Sequence, residues 1–200
     1  MSPRNSAAEA ERTRARIVRA AVDDASRLGL EGLTIGVLAQ RLGMSKAGLV
    51  GPFGSREALL RAALDEAGAV FRAAVIEPLA DVPAGRKRLA RLISAWVRYL
   101  ADCPFPGGCF FTAASTELDG RPGALRDHLR ATITASRHRL ADEIAAAQAE
   151  TPGPHRPPDE VATTLIGLAM AANQEIQLLA DPSAAARAEA AMRHAANLYP

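Results

Sequence analysis

The sequence predicts an all-α protein, with an N-terminal three-helix helix-turn-helix domain followed by a larger helical domain, about nine helices in total. Three observations predict it. Ala, Leu and Arg dominate the 200 residues while aromatic residues make up only 4%, a balance that favours helices over sheets. Apolar residues recur at helical spacing in nearly every segment. The 15 Gly and 13 Pro fall mostly between those segments, where they act as breaks.

Residues 1–11 are polar and contain Pro3, which predicts a disordered N-terminal arm. The first helix is expected from about Thr13 to Leu28, with Ile17, Ala21, Val22, Ala25 and Leu28 on one face and Gly29 as its stop. Thr34 is placed to cap a short second helix ending at Leu42. Gly43 supplies the turn, because only Gly takes a positive φ without strain. Ser45 then caps a very short third helix that Pro52 prevents from extending. A longer helix follows from Ser55 to about Leu79, burying Leu59, Leu60, Ala63, Leu64, Ala67 and Phe71. Further helices are expected over about 85–102, 109–118, 125–149, 159–180 and 183–198, separated by breaks at 104–108, 120–123 and 151–158. The segment 159–180 is apolar on nearly every side, so its outer face is expected to be covered by a second subunit.

Charge is unevenly spread. The first 56 residues carry nine Lys/Arg against five Asp/Glu, and the remainder carries fifteen against seventeen. A basic N-terminal quarter fits either a polyanion partner or a solvated surface. The two cysteines, Cys103 and Cys109, make no disulfide framework, which points to a reducing cytoplasm. No apolar run is long enough to span a bilayer, so no membrane association is expected. The sequence has no HExxH, CxxC, phosphate-binding Gly loop or GxSxG. No catalytic residue, metal or cofactor is therefore expected, and the chain does not read as an enzyme. His138 and Asp142 read as an exposed i, i+4 pair, with a shared metal as the alternative, and Cys109 as a structural thiol, with a redox sensor as the alternative.

The spacing from Ile35 to Leu49 carries the functional signal. Counting Ile35 as position one, the inward positions four, eight, ten and fifteen are Leu38, Leu42, Met44 and Leu49. Position five is Ala39, small enough for two helices to cross closely, and position nine is Gly43. Helix, tight turn and short helix in this arrangement present a helix to the DNA major groove. Gln40, Arg41, Lys46 and Ala47 face outward.

The same stretch resembles the tetracycline-repressor-like (TetR) family of one-component regulators. The resemblance lies in Arg14–Ala21, Leu33–Ile35, Leu38–Lys46 and Phe53–Leu60, spread over about a quarter of the chain. It implies a cytoplasmic homodimer, joined through the last two helices, with each third helix in a major groove of a palindromic double-stranded operator. It also implies phosphate contacts from Thr34, Ser45, Lys46 and Arg56 or their backbone amides. Helix N-termini favour phosphate independently, and Lys46 and Arg41 add counterion-release affinity. Base reading falls to Ala47, Gly48 and Gly51, which offer little hydrogen bonding; Ala47 suits a thymine methyl. Many family members carry an aromatic residue and a His where this chain has Val50 and Pro52, and both of those contact phosphate. Arg12, Arg14 and Arg16 either compensate for that loss or form a solvated helix start.

These readings divide the chain into the arm 1–11, a DNA-binding domain 12–56 and an effector-binding and dimerisation domain 57–200. The expected effector is small and apolar or amphipathic. Its candidate pocket draws on Trp96, Tyr99, Phe105, Cys109, Phe110 and Met170, although aromatic residues at helical spacing are more often plain core. Asn173 and Gln174 interrupt an apolar helix and face a ligand, the dimer seam or solvent. The expected function is a transcriptional regulator, a repressor that its effector releases from the operator; the alternatives are a protein-interaction regulator with weakened DNA reading and a helical small-molecule-binding protein or enzyme.

Overall fold

In the computed structural model, which describes residues 3–198, every regular element is helical. The α-helices are α1 (Pro3–Gly32), α2 (Ile35–Leu42), α3 (Lys46–Val50), α4 (Arg56–Phe71), α5 (Arg86–Ala101), α6 (Phe110–Leu118), α7 (Ala124–Gln148), α8 (Pro158–Gln177) and α9 (Ala184–Ala195). A π-helical turn, Arg72–Ile76, and a 3-10 turn, Glu77–Leu79, continue the path of α4. The helix expected to run to Leu79 is thus continuous in course but changes its hydrogen bonding after Phe71.

Helix α1 begins at Pro3, ten residues before the start expected at Thr13. Ala7, Ala8, Glu9, Ala10 and Glu11 are strong helix formers that carry no buried face. Periodicity is blind to such a segment, and so the sequence reads it as disordered; Met1 and Ser2 lie outside the described residues. The helical path of α1 breaks at Gly29, whose φ of 75° and ψ of 167° are non-helical, at the stop expected there.

Two compact units partition the chain. The first comprises Met1–Ala69 with Phe105–Leu129, and the second Val70–Pro104 with Arg130–Pro200. The sequence reading instead places one boundary at residue 56. The difference has a local cause in the first unit. The loop before α6 lies directly on α1: a Cβ built on Gly107 would stand 1.6 Å from the carbonyl oxygen of Ser26. Only a residue without a side chain allows that approach.

The first unit is built around Ile17, Ala21, Val22, Leu33, Leu38, Leu49, Leu59 and Ala63, all buried. On α6, the Glu117 carboxylate accepts the backbone N–H of Leu30 at Oε2 and of Glu31 at Oε1, each at 2.7 Å. These are amides left open by the break at Gly29. The ring Nε2 of His128, on α7, lies 2.6 Å from Asp65 Oδ1 on α4.

The second unit packs α5, α8 and α9 together around Leu89, Ile93, Leu100, Leu165 and Met192. Arg88 joins several of its parts: Nε pairs with Glu143 on α7 at 2.8 Å, and Nη1 donates to the carbonyls of Leu79 and Val82. Between α5 and α9, Ser94 Oγ donates to Glu189 Oε1 at 2.7 Å. That bond, reinforced by Arg193, holds the Glu189 carboxyl below the usual range. Leu178 and Leu179, just after α8, are 72% and 65% exposed, and Met170 on α8 is 41% exposed. In the single chain, the outer apolar side of α8 is therefore open.

Candidate nucleic-acid interface

Local sequence builds the reading head as expected. Thr34 is extended, and its Oγ1 accepts the N–H of Val37 at 3.2 Å, capping α2. Gly43 is left-handed, with φ 63° and ψ 34°. Its N–H and that of Met44 return to the carbonyls of Gln40 and Ala39, closing the last turn of α2. Ser45 Oγ accepts the N–H of Gly48 at 3.0 Å, capping α3. Each cap contributes about 1 kcal/mol. Leu38, Ala39 and Leu49 are buried, Leu42 and Met44 half-buried, and Val37 is 53% exposed.

The outward surface consists of Thr34, Gln40, Ser45, Lys46, Ala47, Gly48, Gly51 and Pro52, all exposed. Lys46 makes no hydrogen bond or ion pair among the described residues, and its chain lies over Gly36, where an added Cβ would meet Cε at 3.5 Å. Its ammonium is available to a polyanion.

The arginines are engaged within the protein. Arg41 pairs with Asp24 through Nη1 and with Asp23 through Nη2 at 3.5 Å. Asp24 is buried on α1, so Arg41 pins α2 to α1. Arg56 donates from Nε to the carbonyl of Leu33 at 3.1 Å, and from Nη2 to those of Leu30 and Glu31 at 2.8 and 3.2 Å. It braces the α1–α2 connection from the start of α4. The guanidinium of Arg14 lies 5.1 Å from the centre of the Phe53 ring, a cation–π contact that fastens α1 beside the α3–α4 turn. Sequence reasoning offers these three arginines to DNA; in the structure each has an internal partner. Asp23 and Asp24 were visible signals, but a separation of 17 residues hides the pairing from any local pattern.

The aromatic candidates fall into two groups, one in each unit. In the second unit, Trp96 and the buried Tyr99 meet Phe71 edge-on, with ring centroids 6.3 and 5.1 Å apart. In the first, Phe105, Cys109 and Phe110 are all buried, with the two phenyl rings 6.0 Å apart. On α8, Asn173 is half-buried, whereas Gln174 and Met170 are exposed. Phe71 is a member of the Trp96 group that the sequence reading placed only in the core. Among the described residues there is no group of three or more His, Cys, Asp or Glu able to hold a metal ion, and no helix long and apolar enough to cross a membrane.

A tight helix-turn-helix followed by a helical body is the architecture of a one-component regulator. A family model described as "Tetracyclin repressor-like, C-terminal domain" matches residues 85–192. The chain belongs to the tetracycline-repressor-like family. Solved structures are similar throughout. A TetR transcriptional regulator from Chloroflexus aurantiacus shares 25% identity at a TM-score of 0.81, over 94% of both chains. A transcriptional regulator from Saccharomonospora viridis, in complex with choline, shares 19% identity at a TM-score of 0.75, over 92% of this chain and 95% of that one. AibR, in complex with isovaleryl coenzyme A and operator DNA, shares 20% identity at a TM-score of 0.67, over 88% of this chain and 95% of that one. At their lower identity the last two show likeness of fold alone. No curated protein matches the chain.

Proposed function

We propose that this protein is a DNA-binding transcriptional repressor, released from a palindromic operator by a small effector. The observation that carries the reading is the capped, exposed α2–α3 head with Lys46 unengaged at its surface. Lys46 and the amides near Ser45 contact phosphate, while Ala47, Gly48 and Gly51 approach the bases. Because Arg14, Arg41 and Arg56 have internal partners, their role is to position the head, and direct phosphate contacts are few. Two copies join through α8 and α9, covering Met170, Leu178 and Leu179. Relatives crystallised with choline and with isovaleryl coenzyme A and operator DNA support a class that binds both small molecules and DNA. The effector site is proposed at Trp96 and Tyr99, beside Phe71, with Asn173 and Gln174 as polar contacts. The three buried residues Phe105, Cys109 and Phe110 fit the plain-core reading of their group.

Selection of bound sequences from a random DNA pool tests this reading. Recovery of a two-fold symmetric motif is the expected result, and a pool without sequence enrichment would overturn it. Coupling of about 1–3 kcal/mol between effector and operator is enough for useful release.

A further inference from the structure

The second unit holds a cleft of about 320 Å³ formed by the start of α5, the end of α7, the α7–α8 loop and the end of α9. Its volume is at the lower end of the range of ligand pockets, about 300–1,000 Å³. Four basic side chains line it: Arg86, His155, Arg156 and His194. No carboxylate is among the lining residues. The buried Ala147 and Val161 contribute an apolar floor.

The two arginines and His155 are held in place. Arg86 Nη1 donates to Thr151 Oγ1 at 3.2 Å and to the carbonyl of Asn197 at 2.9 Å. Its side-chain hydrogen bonds among the described residues run through Nη1 alone, so Nε and Nη2 keep their donors. The neighbouring acid, Glu150, is turned to the backbone N–H of Arg86 at 3.2 Å. Arg156 donates from Nη2 to Thr164 Oγ1 at 3.2 Å, and its Nε lies 3.8 Å from Glu160, an exposed and loose pairing. His155 Nε2 donates to the carbonyl of Thr151 at 2.8 Å, which anchors the ring to the loop. An Arg fork with open donors beside a second Arg, over an apolar floor, suits a planar or tetrahedral anion carried on a small apolar body.

We propose that this cleft is a binding site for a small anionic molecule, a carboxylate or phosphate ester, gripped by Arg86 and Arg156 with its apolar part on Ala147 and Val161. The site stands independently of the effector reading at Trp96 and Tyr99.

Thermal unfolding of the full chain with inorganic phosphate, phenyl phosphate or benzoate as probe tests it. At a probe concentration about ten times its Kd, the Tm should rise by roughly 3–5 °C. Phenyl phosphate should bind more tightly than inorganic phosphate, because only it uses the floor. Arg156→Gln, a change at an exposed loop position, should abolish the rise, and Arg86→Lys should weaken it. Lys46→Ala should leave it intact. The proposal is overturned if no probe raises the Tm, if the rise survives both arginine changes, or if it disappears with Lys46→Ala.

Discussion

Replacing Glu117 by Ala removes two acceptors at once. Its carboxylate takes the N–H groups of Leu30 and Glu31 at 2.7 Å each. Leu30 is only 2% exposed, so its amide loses its partner where water reaches poorly, at a cost of about 1–3 kcal/mol. The amide of Glu31 is exposed and can turn to water, so its loss costs about 0.5–1.5 kcal/mol. Together these give about 1.5–4.5 kcal/mol. For a chain of this length 1 kcal/mol corresponds to about 2–4 °C in Tm, so Glu117→Ala should lower the Tm by roughly 3–18 °C. Glu117→Gln keeps one carbonyl oxygen for Leu30 but turns an amide donor toward the other N–H, so it should fall between Ala and the parent. Calorimetry on the three proteins measures this. A Glu117→Ala protein that melts within about 1 °C of the parent would refute the claim that this carboxylate closes the break at Gly29.

Four further outcomes follow from the same geometry. Gly107→Ala should destabilise by about 1–3 kcal/mol or more, since its Cβ meets the Ser26 carbonyl; Gly120→Ala, with nothing within 4 Å, should change the stability by less than about 0.5 kcal/mol, both read from denaturant unfolding. Lys46→Ala should weaken DNA binding across sequences and lower the slope of log affinity against log salt by about one, while Arg41→Ala should lower stability and leave that slope nearly unchanged, because its charge is committed to Asp23 and Asp24; equal slope changes would contradict the assignment. The Asp181 carboxyl is lowered to about 2, first by its hydrogen bond from Arg187 and then by Ser183. Its folded-state pKa lies below the unfolded one, so its contribution is complete above about pH 4 and is lost as pH falls toward 2; carboxyl NMR should find the midpoint near 2, and a midpoint at the ordinary 3.8 would argue against the pairing. If two copies join through α8 and α9 as proposed, Leu178→Glu combined with Leu179→Glu should halve the mass measured by light scattering; a parent of monomer mass or an unchanged mass would overturn that seam.

What the sequence could reveal was governed by how far apart the interacting groups lie. Thr34 and Ser45 cap amides three residues away, and Gly43 closes a turn on Gln40 and Ala39. Such local chemistry is written in the residue order, and the reading head was legible down to its caps. The helix boundaries of α5, α6 and α7 were legible for the same reason, because Gly and Pro breaks flank them. Helix α1 was misjudged at its start, since Ala7–Glu11 has helix propensity but no apolar stripe, and the sequence reading weighed only the stripe.

The candidate site was less legible, because an outward position in a helix pattern does not say what a long side chain will reach. Arg41 reads as a phosphate contact until α1 brings Asp24 beside it. Arg56 reads the same way until three carbonyls, two from the end of α1 and one from the α1–α2 connection, converge on its fork. Arg14 finds the face of Phe53. Each is a cation counted toward a polyanion from sequence and met first by a group of its own chain. Val50 and Pro52 had already stripped the tip of the family's usual phosphate contacts, so the two effects compound. If this head binds an operator, its salt dependence must be shallow for its basic composition, and Lys46 must carry a disproportionate share of it. A steep slope would mean that operator binding pulls Arg41 or Arg56 away from partners that brace the fold, so that DNA affinity and stability of the first unit would be coupled through those same side chains.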